Sequence, residues 1–184
     1  PFSFIYGDLG LENIHQLQDI VATYNNSDTL YQLVPYDGKN LIKYPVGWAL
    51  LNLPFFILGH VAALLTDYPA DGFSKPYQIC IFLGNIFYVF LGFEGVRRLL
   101  RNWFSPLTTA ITFLLIVIGT NFLHQAIQAP GMVHTYLFSL YAWVGVLVFR
   151  DKNNGQPGLL LGMLTGLLLI TRNSEVVFLV FLLL

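Results

Sequence analysis

From Tyr44 onward the chain is a succession of apolar runs with almost no charge inside them: Tyr44–Leu65, Tyr77–Val96, Pro106–Leu123, Met132–Phe149, Pro157–Thr171 and a last run from Val176. Crossing the ~30 Å hydrocarbon core of a bilayer takes about 20 apolar residues in a helix, with a lower limit of about 17. The second to fourth runs meet that length, and the fifth does so with its flanks. The stretch from Leu159 to Ile170 is poor in β-branched residues, which favours helix over a barrel strand. Gly162 and Gly166 form a small-xxx-small pair suited to helix–helix contact.

Composition agrees. Only 10% of residues are charged while 55% are hydrophobic and 16% aromatic, against about 25% charged in ordinary soluble domains. A soluble domain of this size could not clothe its surface with so few charges. The net charge of −1 and the lack of a basic stripe give no reason to expect nucleic acid as a partner. The single Cys80 excludes a disulfide framework and a cysteine-pair metal site. The fold expected is all-α, a polytopic transmembrane helix bundle with an outer-face loop and juxtamembrane helices.

Residues 1–43 differ from the rest. They hold five of the ten acidic residues and carry turn signals at Asn25-Asn26-Ser27-Asp28 and Tyr36-Asp37-Gly38-Lys39. Leu11, Ile14, Leu17, Ile20 and Val21 fall on one face of a short amphipathic helix. That helix either packs on its own domain or lies at the membrane interface. The expected division is therefore residues 1–43 as an extracytoplasmic loop, 44–76 as a juxtamembrane helix and connection, and 77–184 as a truncated helix bundle. The chain opens on Pro1 without a Met and closes inside an apolar run, so it reads as a piece of a longer protein.

Basic residues set the orientation. Arg97, Arg98 and Arg101 follow the second run, and Arg150 and Lys152 follow the fourth. Both clusters are expected in the cytoplasm, because basic loops resist translocation. The His124–His134 loop and the Arg172–Glu175 segment then face outward, in an inner (plasma) membrane protein with multiple passes. Trp103 and Trp143 stand near helix ends, as interfacial belt residues do. The first run fits two placements, a full span or a half-buried helix at the outer surface. Pro54, which removes a backbone donor, and the polar groups of Asn52 and His60 weigh against the span.

The segment Lys43-Tyr44-Pro45-Val46-Gly47-Trp48-Ala49-Leu50-Leu51-Asn52-Leu53-Pro54-Phe55-Phe56 resembles the Tyr-Pro-Pro segment of GT-C glycosyltransferases. Further along, Gly162…Gly166-Leu-Leu-Leu-Ile-Thr-Arg172-Asn-Ser-Glu175 resembles their Gly…Gly-Leu…Thr-Arg-Pro helix end, with Asn173 in place of the Pro. The order of features resembles the dolichyl-phosphate-mannose–protein mannosyltransferases and a Bacteroidetes-type branch of the same superfamily. The resemblance implies a multi-pass enzyme that moves a sugar from a polyprenyl-phosphate donor to an acceptor at the extracytoplasmic face. It also implies that residues 1–43 lie outside and that the principal catalytic acid stands upstream of Pro1.

Such transfer needs a carboxylate to deprotonate the acceptor and cations to hold the departing phosphate. Lys43 and Arg172 flank apolar helices on the expected outer side and are the candidates for an anionic lipid head group. Arg offers a two-pronged fork for phosphate, although any helix-end cation also snorkels to the interface. Glu175 is a substrate-binding candidate or a simple partner of Arg172, and His134 joins the binding candidates. The second outer loop, where the resemblance implies an acid, carries His124 and His134 instead. A divalent metal held partly by these two histidines is one reading, and interfacial histidines the other. Glu94 stands three and four residues before Arg97 and Arg98, the spacing of helical ion pairs. A non-catalytic membrane scaffold subunit and a transporter are the alternative classes; a transporter would need broken helices and buried charge near the midplane.

Overall fold

The computed structural model describes residues 2–8, 11–25, 33–36, 39–42, 45–127, 132–149 and 158–178. Lys43, the Asp37-Gly38 turn, residues 128–131 of the second expected outer loop and the basic segment Arg150–Asn154 lie outside them.

The protein is mostly helical. In chain order the elements are α1 (Phe2–Tyr6), α2 (Ile14–Asn25), β1 (Leu33–Tyr36), β2 (Lys39–Ile42), α3 (Gly47–Leu64), α4 (Lys75–Leu100), α5 (Pro106–Gly119), α6 (Phe122–Ile127), α7 (His134–Val148) and α8 (Gly158–Thr171), followed by a 3-10 turn at Asn173–Glu175. The chain divides into two compact units. One comprises Pro1–Pro45 with Asn52–Ile81, and the other Val46–Leu51 with Phe82–Leu184.

In the first unit, β1 and β2 pair antiparallel with Leu33 opposite Ile42 and Tyr36 opposite Lys39. The apolar face of α2 packs on its own unit: Leu17 is buried with Phe2 and Leu11, and Ile20, Val21, Leu33 and Phe73 close around them. Leu11 stands outside the helix it was expected to join. It precedes α2 with a left-handed φ of 51°, while Asp8 accepts hydrogen bonds from the Glu12 and Asn13 amides at 3.1 and 2.9 Å. These bonds hold the Asp8 carboxyl below its usual range, the Asn13 amide contributing most.

A second cluster in this unit joins Phe56, Ala63 and Tyr77. Gly59 permits it, because a Cβ there would come within 2.9 Å of the Tyr77 Cα. Helix α3 continues through Pro54 over its full 18 residues. The proline therefore does not interrupt the helix. By length and composition, α3 and the 26-residue α4 are the two described helices long and apolar enough to cross a membrane.

The second unit is built on a seam between α4 and α7. Asn85, Tyr88, Gly92 and Gly95 repeat at helical spacing along α4. They meet Thr135, Tyr136, Phe138–Ser139 and Ala142 of α7 in the same order. The two helices therefore run parallel. Glycine is needed twice here: a Cβ on Gly92 would stand 2.5 Å from the Phe138 ring, and one on Gly95 2.9 Å from the Ala142 Cβ. Beyond the seam, Trp103 meets Phe149 edge to face with centroids 5.5 Å apart, so the C-terminal ends of α4 and α7 lie on one side. The core comprises Leu51, Tyr136, Leu137, Leu140, Val144 and Leu168.

The later helices are shorter than the apolar runs that encode them. Ser105 caps α5 by accepting from the Thr108 amide, with Pro106 at the first position. The helix stops after 14 residues at Gly119, because Thr120 turns extended. Helices α7 and α8 span 15 and 14 residues. At 1.5 Å per residue these reach roughly 21–23 Å, short of the ~30 Å hydrocarbon core. Run length overstated α5 most, because Thr120 and the first residues of α6 extend its run without extending its helix.

Candidate functional site

The start of α3 and the end of α8 come together in the second unit. Helix α3 begins at Gly47, and its first turn lies against the last turn of α8. A Cβ on Gly47 would overlap Thr171 and come within 2.6 Å of the Ile170 carbonyl carbon, so no other residue fits this backbone-to-backbone approach. Trp48 and Leu51, on the same turn, enter the core beside Leu168. The Leu51 carbonyl accepts from the Tyr88 hydroxyl at 3.0 Å, in the turn that precedes Pro54. Thr171 is buried and returns its hydroxyl to the Leu167 carbonyl at 2.6 Å.

Arg172 then leaves the helix with extended backbone, φ −152° and ψ 113°, and the 3-10 turn Asn173–Glu175 follows. The Glu175 amide donates to the Arg172 carbonyl at 3.0 Å, which folds the two side chains toward each other. Arg172 Nε stands 3.6 Å from Glu175 Oε1, with the guanidinium half exposed and the carboxylate 17% exposed. The other carboxylate oxygen, Oε2, accepts from the Tyr141 hydroxyl of α7. Tyr141 is held in turn by an edge-to-face contact with Phe178. Glu175 thus bridges a fixed phenol and a half-exposed cation. Chemically the arrangement offers an oriented guanidinium fork at the end of an apolar helix, braced by a carboxylate that is itself anchored.

The remaining candidates lie elsewhere. His124 is exposed on α6 and His134 is exposed at the first position of α7. Among the described residues no group of three or more His, Cys, Asp or Glu side chains stands where it could hold a metal ion. Glu94 is engaged locally: its carboxylate accepts from Arg97 at 2.6 and 2.8 Å and from Arg98 at 2.7 Å.

Three polar constellations escaped the sequence reading. Asn85 of α4 is fully buried; it donates to the Ala126 carbonyl at 2.7 Å and accepts from the Thr135 hydroxyl at 2.5 Å. It thereby ties α6 and the first turn of α7 to α4, and only its position inside an apolar run hinted at such a role. In the first unit, Asp71 Oδ1 accepts from the Phe73 and Ser74 amides, both at 2.9 Å, ahead of α4. Its Oδ2 accepts from Tyr24 at 2.6 Å, and this bond, more than burial, pushes the Tyr24 phenol up to about 12. The Asp71-Gly72 pair was the available signal, since Gly72 adopts φ 87°. Beside it His60 Nδ1 meets the Tyr77 hydroxyl at 2.5 Å.

Compared with protein-family models, curated proteins and solved structures, the chain matches none of them.

Proposed function

We propose that the chain is part of a multi-pass membrane glycosyltransferase that takes its sugar from a polyprenyl-phosphate donor at the extracytoplasmic face, with Arg172 holding the donor phosphate. The observation that carries this is the junction of Gly47 with Thr171. It joins the two segments that resemble GT-C enzymes and leaves Arg172 oriented at the end of α8. The membrane part of the proposal draws on the apolar side chains turned outward along the helices. Phe90 of α4, Leu107 and Ile118 of α5, and Leu159 of α8 are 70–82% exposed, a surface that a lipid environment would satisfy.

In this reading Glu175 positions rather than reacts, because Tyr141 and Arg172 both occupy it. Lys43 is assigned to the same anionic head group, and a metal held partly by the exposed His124 and His134 would take the place of the acid the resemblance implies in the second outer loop.

A non-catalytic scaffold is the second reading. The observation in its favour is that the Glu175 carboxylate is engaged on both oxygens. Transfer of labelled sugar by membranes holding the full-length protein at matched expression separates the two. A charged hydrogen bond contributes about 1.5–3 kcal/mol, or roughly ten- to hundredfold in affinity. Arg172→Lys keeps the charge and loses the fork, so it is expected to retain part of the activity, and Arg172→Ala less. Full activity in Arg172→Ala removes the residue from the site. A well-folded protein that transfers from no polyprenyl-phosphate sugar favours the scaffold.

A further inference from the structure

A large slot opens between α4, α7 and α8 in the second unit, with a cavity volume of about 1080 Å³. Its walls are leucine along most of their length, with Leu91, Leu140, Leu164 and Leu167 among them. Along α7 it runs from Ser139 to Phe149, ten residues or roughly 15 Å of helix. That is about half of the ~30 Å hydrocarbon core, the depth of one leaflet.

The slot is not uniform. Arg98, Asn102, Trp103 and Trp143 line it towards the C-terminal ends of α4 and α7. Arg98 Nε is engaged by Glu94 at 2.7 Å, and its guanidinium carbon stands 5.0 Å from the Trp143 ring centroid. Trp143 is fixed by donating to the Leu91 carbonyl at 3.0 Å. The guanidinium is therefore held in place by a carboxylate and an aromatic face, while its terminal amino groups make no hydrogen bond among the described residues. Arg97, Arg98 and Arg101 outnumber the single Glu94 in this turn, so the polar end is cationic.

We infer that the slot holds one acyl chain of an anionic phospholipid of the cytoplasmic leaflet, with the lipid phosphate on Arg98. The chemistry follows the geometry. A leucine-lined groove one leaflet deep takes a hydrocarbon chain, a guanidinium with open amino groups takes phosphate, and tryptophans mark the level where head groups begin. Basic pockets between helices on the cytoplasmic side are suited to anionic lipid heads. The inference rests on the membrane part of the reading above and is independent of sugar transfer.

Native mass spectrometry of the full-length protein, released from mild detergent after incubation with phosphatidylglycerol or phosphatidylcholine, tests it. Phosphatidylglycerol is expected to be retained about tenfold better than phosphatidylcholine, the scale of a charged hydrogen bond. Arg98→Gln is expected to bring the two lipids to parity, while Arg101→Gln, which does not line the slot, keeps the preference. Leu164→Trp fills the groove and is expected to lower retention of both lipids; Val146→Phe serves if that variant loses helicity by circular dichroism. Equal retention by the wild type, a preference that survives Arg98→Gln, or no retained lipid at all overturns the inference; the last result means that another protein segment covers the slot. Sugar transfer measured on the same preparations keeps the outcomes separate, because lipid retention is expected even where transfer is absent.

Discussion

Gly47 and Thr171, 124 positions apart in the chain, meet backbone to backbone where α3 begins and α8 ends. The contact leaves no volume for a side chain on Gly47, and it fixes where Arg172 departs from its helix.

Substitution at that contact is therefore expected to cost more than substitution at the glycine pair of α8. Gly47→Ala forces Thr171 and Ile170 to shift, an overpacking effect of about 1–3 kcal/mol. Gly162→Ala and Gly166→Ala meet no atom of the described residues within 4 Å, so helix propensity acts on them and should stabilise by up to about 1 kcal/mol each. Thermal unfolding of the detergent-solubilised protein ranks the three. A Gly47→Ala variant as stable as wild type contradicts the close approach.

The brace on Arg172 is open to a double-mutant cycle. Tyr141→Phe and Glu175→Met remove the same hydrogen bond, so their effects on stability should be non-additive, with a coupling of about 1.5–3 kcal/mol. Additive losses would show that Tyr141 and Glu175 act separately.

Hydrogen exchange reads the Asn85 clamp. Asn85→Ala leaves the Ala126 carbonyl and the Thr135 hydroxyl without their buried partner, a loss of about 1–3 kcal/mol. Amides of α6 and the first turn of α7 should exchange faster. Unaltered exchange across residues 122–137 refutes the clamp.

Alkaline titration reports on Tyr24. Its phenol is raised to about 12 from 10.0 because the protonated form donates to Asp71. A raised folded value means that this contribution to stability is complete below pH 10 and is lost as pH climbs from 10 toward 12. Absorbance near 295 nm should show the Tyr24 phenol moving back toward its ordinary range in Asp71→Asn, and a smaller movement, with Tyr6 among its sources because Asp71, second to burial, raises it as well, when Tyr24→Phe is already present.

Much of the architecture was legible in the residues. The apolar runs located α3, α4, α5, α7 and α8, the turn signals framed the β1–β2 pair, and the Glu94 spacing anticipated its ion pairs with Arg97 and Arg98, whereas α6 stands where a loop was expected. Helix length was less legible, because hydropathy does not register where Thr120 turns extended. Pro54 leaves α3 continuous, so the helix expected over this run is present. At the site, Arg172 and Glu175 were readable as neighbours at i and i+3. Tyr141 was not, because its partnership with Glu175 is made across 34 residues by packing alone. The small-residue pair Gly162 and Gly166 was readable as a contact face, yet no described atom lies against it.

Asn85 also sets an order of events during synthesis. Its partners follow it by 41 and 50 residues, which at about 5–20 residues per second is a delay of roughly 2–10 s. Throughout that interval the amide has no α6 or α7 to bind, and an unsatisfied amide in an apolar setting costs several kcal/mol. Helix α4 therefore cannot reach its final environment alone. It has to wait, hydrated or chaperoned by some other polar group, until Thr135 has been made.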